Sequence, residues 1–268
     1  MENKTINMDG MMHLAAQYLA NAGNSFLQHR PIGSKNTMHF CEDGSCLQTT
    51  PLNLAGDQLC LNYDDFSLQW KTQHSANKKI YLDHKTHKDI LKWLKSTAKE
   101  LNFANEYTFK HNHKMPYEEI TANFEFKIID KDRLLLLSKF RMLVQEVLQE
   151  IIKKHQINVD IAIWPSDFNT SAFFLLNSNI DITLSFGMTI PEPQKKNTEH
   201  CLFITAWHGM ENLATTNFPD LSIGKWHSDK NSNKAIVPLT SINKQDMIDF
   251  FEETINFYKN QYYPLEAV

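Results

Sequence analysis

The chain has 268 residues, 42% of them hydrophobic and 22% charged, the make-up of a globular protein with core enough for one large domain or two smaller ones. Its formal net charge of −4 gives no bulk attraction to nucleic acid or an anionic membrane, so neither is expected as a partner. No run reaches the roughly 18 apolar residues of a membrane span, and Met1-Glu-Asn-Lys-Thr-Ile6 lacks the apolar core of a secretory signal, so a cytoplasmic location is expected.

Met8, Met11, Met12, Ala15, Tyr18 and Leu19 recur at helical spacing and predict an amphipathic first helix, with Asn21-Ala-Gly23 as its stop. The methionines read as core filler. Met38–Cys41 predicts a strand leading into a Glu42–Ser45 turn. Leu59, Leu61 and Tyr63 share one strand face, Phe66, Leu68 and Trp70 the next, and Lys79–Leu82 a third. Thr86 and Asp89 form a capping-box pattern at the start of a helix running to about Leu101. The polar stretch from Phe103 to Asn123, with Met115-Pro116, has the composition of a linker or lid. A long helix is expected from about Asp130 to His155.

Strands then follow in series, around Val159–Ile163, Phe173–Leu176, Ile180–Ile190, Leu202–Ala206 and Ile236–Leu239. Pro238 is assigned to an edge position, because proline cannot donate to a ladder. Lys244 to Asn260 predicts the last helix. Consecutive strands between helices favour an α+β fold, mainly antiparallel and flanked by helices, over a parallel α/β fold. Strand, short loop and capped helix at 80–101 match 237–258 at a constant offset, so two similar halves are expected, 1–105 and 124–268, joined by 106–123. A single compact domain is the simpler arrangement.

The four cysteines, Cys41, Cys46, Cys60 and Cys201, match no disulfide framework, which fits a reducing compartment. Cys41-Glu-Asp-Gly-Ser-Cys46 reads as a hairpin turn whose thiols are placed to pair or share a metal, with plain core and surface thiols the simpler expectation. His111 with His113, and His84 with His87, have ligand-like spacing, but each pair lies among lysines that disfavour a cation. Lys153-Lys154 and Lys195-Lys196 read as solvated element ends. No phosphate-cradling glycine loop, GxSxG elbow or HExxH motif is present. No metal or cofactor is expected.

Three of the five tryptophans fall beside polar groups at strand ends: Trp164 near Asp167, Trp207 before His208, and Trp226 before His227. Indole walls with a few polar contacts suit a ligand cleft, so a small organic ligand bound by Trp164, Asp167, Trp207, His208, Trp226 and His227 is the leading expectation. A protein-interaction surface is a second. A hydrolase or isomerase is the third, with Asp167 orienting His208 as general base and Glu211 as a further acid–base group. Sequence leaves the oligomeric state open.

The stretch Ile161-Ala-Ile-Trp-Pro-Ser-Asp-Phe-Asn169, with the aromatic strand Leu202–Trp207, resembles uncharacterised bacterial proteins carrying a Trp-Pro-x-x-Phe segment. Asp167 stands where their histidine falls and Asn169 where their aspartate falls. That family has no assigned activity, so the resemblance implies shared architecture alone.

Overall fold

A computed structural model describes residues 6–27, 35–117, 120–177, 181–191, 199–209, 211–213, 218–229 and 232–262. Ile180 and the Lys195-Lys196 pair lie outside the described residues. The described residues form four α-helices and antiparallel strands, an α+β architecture. It divides into two compact units. One comprises 1–142, 162–168 and 192–196; the other comprises 143–161, 169–191 and 197–268. The described residues between 106 and 123, expected to connect halves at 1–105 and 124–268, fall within the first of these units.

The first unit is built around helix α1, Met8–Phe26. Asn7 caps it by accepting the Gly10 N–H at 2.9 Å. All of its nineteen residues except Asn24 and Phe26 are buried, so α1 is enclosed rather than amphipathic. It also runs past the expected stop. Asn21 does not end the helix because its side chain is engaged elsewhere: Nδ2 donates to the Gln17 carbonyl, and Oδ1 accepts the Lys110 N–H at 3.0 Å.

Strands β1 (Met38–Phe40), β2 (Cys46–Thr49), β3 (Gln58–Asn62), β4 (Ser67–Lys71) and β5 (Lys78–Tyr81) pair in sequence, each antiparallel to the next. Strand β6 (Ala162–Ile163) pairs with β1 on its other side. The β1–β2 turn is set by Asp43, whose Oδ1 accepts the Ser45 N–H at 3.0 Å, and by Gly44 at φ +72°, where a side chain would be strained. Helix α2, His87–Glu100, starts with the expected capping box between Thr86 and Asp89.

The segment expected to link two halves is instead strapped along α1. Tyr107, fully buried, donates its hydroxyl to the Tyr18 carbonyl at 3.0 Å, and the Thr108 N–H bonds Ser25 Oγ at 3.0 Å. Helix α3, Lys131–Lys154, begins in this unit and ends in the other.

The second unit orders its strands β11-β12-β9-β8-β7, with the two-residue β10 (Glu211–Asn212) beside β9. Their spans are β7 Thr170–Asn177, β8 Ile182–Thr189, β9 Cys201–His208, β11 Lys225–Asp229 and β12 Ser232–Pro238. Short, polar β10 and β11 escape hydropathy reading because neither carries a period-two apolar stripe. Strand β12 lies between β11 and β9, so Pro238 is not on an edge strand. It is tolerated because the β11 ladder ends at Ile236, leaving its missing N–H on an unpaired stretch. Helix α4, Lys244–Tyr262, packs on one face of these strands, where Phe186 meets Phe251 and Phe174 meets Phe186 edge-on.

Candidate functional site

Register fixes where the predicted site residues point. Trp226 pairs with Ala235, which pairs with Ile204, so all three side chains share one sheet face. Trp207 lies three residues beyond Ile204 on β9, on the opposite face, because side chains alternate along a strand. Trp207 and Trp226 therefore do not form one wall. Trp226 is committed to packing: it stacks on Phe218 at 4.1 Å, meets Phe257 and Tyr258 of α4, and donates its indole N–H to the Pro219 carbonyl at 2.8 Å. His208 pairs across β9–β10 with Glu211, and both are exposed. His227 is exposed opposite Lys234. Trp164 and Asp167 belong to the first unit, whereas Trp207, His208, Glu211, Trp226 and His227 belong to the second.

In the Trp164–Phe168 segment, backbone carbonyls make the anchoring bonds. The Pro165 carbonyl faces His13 Nε2 at 3.0 Å and accepts Gln17 Nε2–H at 2.7 Å. Arg141, fully buried, donates to the Phe168 carbonyl at 2.8 Å, and its guanidinium carbon lies 4.2 Å from the Phe168 ring centroid. His13 stacks on the same ring at 5.1 Å. A carbonyl can only accept, so His13 Nε2 carries the hydrogen and Nδ1 of the neutral ring is an acceptor. That Nδ1 is buried without a hydrogen-bond partner among the described residues, as is His113 Nε2. Burial lowers the His13 pKa to about 4, opposed by the Pro165 bond and reinforced by Arg141.

These groups belong to a stripe that hydropathy reading passed over. Asp9, His13, Gln17, Asn21 and Ser25 are polar at every fourth position of α1, and all are buried. Arg133 reaches Asp9 at 2.7 Å, Pro165 meets His13 and Gln17, and the 108–110 backbone meets Asn21 and Ser25. The stripe fastens three distant segments to one helix. A cavity of about 10 Å³ beside Gln17, His111 and His113 is near the size of one water.

Open space lies elsewhere in this unit, along α2. A concavity of about 1040 Å³ is floored by Leu91, Ala98, Phe103 and Ala104 and rimmed by Lys88, Lys92, Lys95 and Lys99. The lysine spacing, four, three and four residues, places all four on one helix face. Asp89 and Glu106 also line it, but none of the four lysines lies at ion-pair distance from a carboxylate among the described residues. His87 forms the inner wall and is buried, with its Nδ1 2.7 Å from the Tyr18 hydroxyl. Burial, helped by His111, lowers its pKa to about 4, so it is neutral at pH 7. His84 turns away to Glu125 at 2.8 Å, which separates the His84–His87 pair. Of these lysines sequence reading weighed only Lys88, as part of the like-charged shell around His84 and His87; the i, i+4, i+7, i+11 repeat of Lys88, Lys92, Lys95 and Lys99 was the available signal.

Among the described residues no three His, Cys, Asp or Glu side chains come together as a metal site, and no helix is long and apolar enough to cross a membrane. No family model, curated protein or solved structure matches the chain.

Proposed function

We propose that the chain is a binding protein for a small organic anion with an apolar portion, held in the groove along α2. The carrying observation is the concavity itself: an apolar floor under four lysines that make no ion pair within 4.0 Å among the described residues, in a chain whose net charge is −4. Its volume is in the range of small-molecule sites. Four lysines against the two carboxylates of Asp89 and Glu106 leave an excess of positive charge beside apolar surface, which favours a ligand that presents a carboxylate or phosphate and covers the floor.

Trp70 is a built-in reporter. Its ring lies 5.2 Å from Phe103 of the floor, and its N–H bonds Thr97 of α2 at 2.8 Å. Intrinsic fluorescence titrated with aliphatic and aromatic carboxylates and phosphate esters should give a saturable change that weakens as salt rises. The double substitution Lys92→Glu and Lys95→Glu should abolish it. A panel giving neither a saturable signal nor a shift in Tm overturns this reading.

A second reading, a protein-interaction surface, rests on Phe173 and Leu175, which are 40% and 53% exposed. Register aligns Leu175, Thr183 and Trp207 across three strands on the face opposite α4, an apolar row suited to a partner. Phe173→Ser with Leu175→Ser should abolish capture of a specific partner by the full chain while leaving the α2 groove titration unchanged. The repeat of strand, loop and capped helix is supported by matching caps: Asn243 Oδ1 accepts the Asp246 N–H at 3.1 Å, as Thr86 accepts that of Asp89. No observation favours a hydrolase or isomerase built on His208 and Asp167.

A further inference from the structure

Three of the four cysteines gather at the β1–β2–β3 end of the first unit. Cys41 is 5% exposed, and Cys46 and Cys60 are fully buried. The β1–β2 ladder runs through Phe40 opposite Leu47, and the Cys41 N–H to Cys46 carbonyl bond at 2.9 Å extends it by one pair. Cys41 and Cys46 therefore face each other directly, with side chains on the same face. Facing residues of an antiparallel pair have Cα atoms about 4.5–5.5 Å apart, within the range a disulfide spans, and closing the bond draws their Cβ atoms in to about 3.8 Å. The Cys46 N–H donates to Cys41 Sγ at 2.8 Å, which brings that sulfur against the Cys46 backbone. Cys60 belongs to the same buried cluster, and Lys71 Nζ stands 3.5 Å from Cys46 Sγ.

We propose that Cys41 and Cys46 are a reversible oxidation site, at which a peroxide converts the facing thiols to a disulfide. One sulfur takes an oxygen from the peroxide, giving a sulfenic acid and one molecule of water. The second sulfur then attacks the first, the S–S bond forms, and hydroxide leaves with the attacking thiol's proton as a second water. The two electrons lost by the thiols reduce the peroxide. Cys41 Sγ donates to Asp43 Oδ1 at 2.9 Å, which holds it as a thiol. The neighbouring Cys60 and burial push the Cys46 thiol up to about 12, against the lowering by the Cys41 bond and by Lys71. Oxidation is therefore slow at neutral pH and quickens as pH rises.

The test uses the full reduced chain, treated with hydrogen peroxide at pH 7 and pH 9, quenched with an alkylating agent and analysed by intact mass and peptide mapping. No lysine or arginine separates the three cysteines, so cleavage at Glu42 or Asp43, and at Asp57, is needed to place the link. The expected product is two hydrogens lighter, has two unreactive thiols, joins the peptides of Cys41 and Cys46, forms at least several-fold faster at pH 9, and reverts with dithiothreitol. Cys60→Ser should leave the link intact and Cys41→Ser should abolish it. A link through Cys60 or Cys201, sulfinic acid without a crosslink, or four thiols still alkylated after excess peroxide would each overturn the proposal, and the unsubstituted chain alone can return any of these results.

Discussion

His13 gives its Nε2 hydrogen to the Pro165 carbonyl over 3.0 Å, across 152 residues of chain, while the rest of its ring is sealed in the core at 1% exposure. The ring is neutral when folded, with a pKa of about 4 against 6.5 for an exposed histidine. Below pH 6.5 the unfolded chain takes up a proton that the folded chain refuses, so stability falls as pH drops towards 4 and levels off beneath it. His87 acts in the same direction over the same window. Urea unfolding should show a loss on the order of 3 kcal/mol attributable to His13 between pH 7 and pH 4. His13→Gln keeps a donor for Pro165 without a titrating ring and should flatten that part of the profile. An unchanged pH dependence in this variant would show that His13 titrates in the folded chain as it does in the unfolded one.

Trp70 is fully buried, and its indole N–H ends on Thr97 Oγ1 at 2.8 Å. Thr97→Val keeps the shape and removes the acceptor, leaving a buried donor unpaired at a cost of ~1–3 kcal/mol. Thr97→Ser should retain most of the stability. Equal urea midpoints for the valine and serine variants would refute a role for the bond.

Gly187 faces the second unit's closest backbone approach. A Cβ built there would lie 1.9 Å from the Thr170 carbonyl oxygen and 2.7 Å from Ser171 Cα. Backbone cannot swing aside as a side chain can, so Gly187→Ala must part β7 from β8 locally. The expected cost is about 3 kcal/mol or more, read from thermal unfolding. A Tm within a degree or two of the parent would mean that β7 and β8 lie further apart than this.

Apolar periodicity made the elements legible where one face is buried. The buried face of α2 and the approximate bounds of α3 and α4 follow from it, while the start of α2 follows from the Thr86–Asp89 capping pattern. It failed where burial is complete or where polar groups do the fastening. Helix α1 is enclosed on all sides, so its apolar stripe did not mark its limits, and Asn21 resembled a stop while bonding to Lys110. The 103–123 segment looked like a linker because hydropathy does not register that a polar strap can bond to a buried polar stripe. For the tryptophans, strand-end position was visible but register was not. A three-residue offset relative to Ile204 puts Trp207 and Trp226 on opposite faces.

The same stripe holds an ion pair with a fully buried carboxylate. Asp9 is fully buried in the first turn of α1, and Arg133, partly exposed, sets Nη2 and Nε 2.7 and 2.8 Å from its Oδ2. The helix N-terminus favours the carboxylate, and the Arg133 guanidinium adds two charge-assisted bonds to one of its oxygens. Arg133→Met leaves a buried charge without that partner, and the expected loss is ~3–5 kcal/mol. Asp9→Asn leaves an arginine that can still reach water, so it should cost less. Removing both charges together should restore part of what Arg133→Met loses, since the destabilisation comes from a stranded carboxylate more than from a lost attraction. The check is a double-mutant cycle by urea unfolding at pH 7. Strictly additive losses would mean that the pair contributes no coupling and that Asp9 is held by its other neighbours.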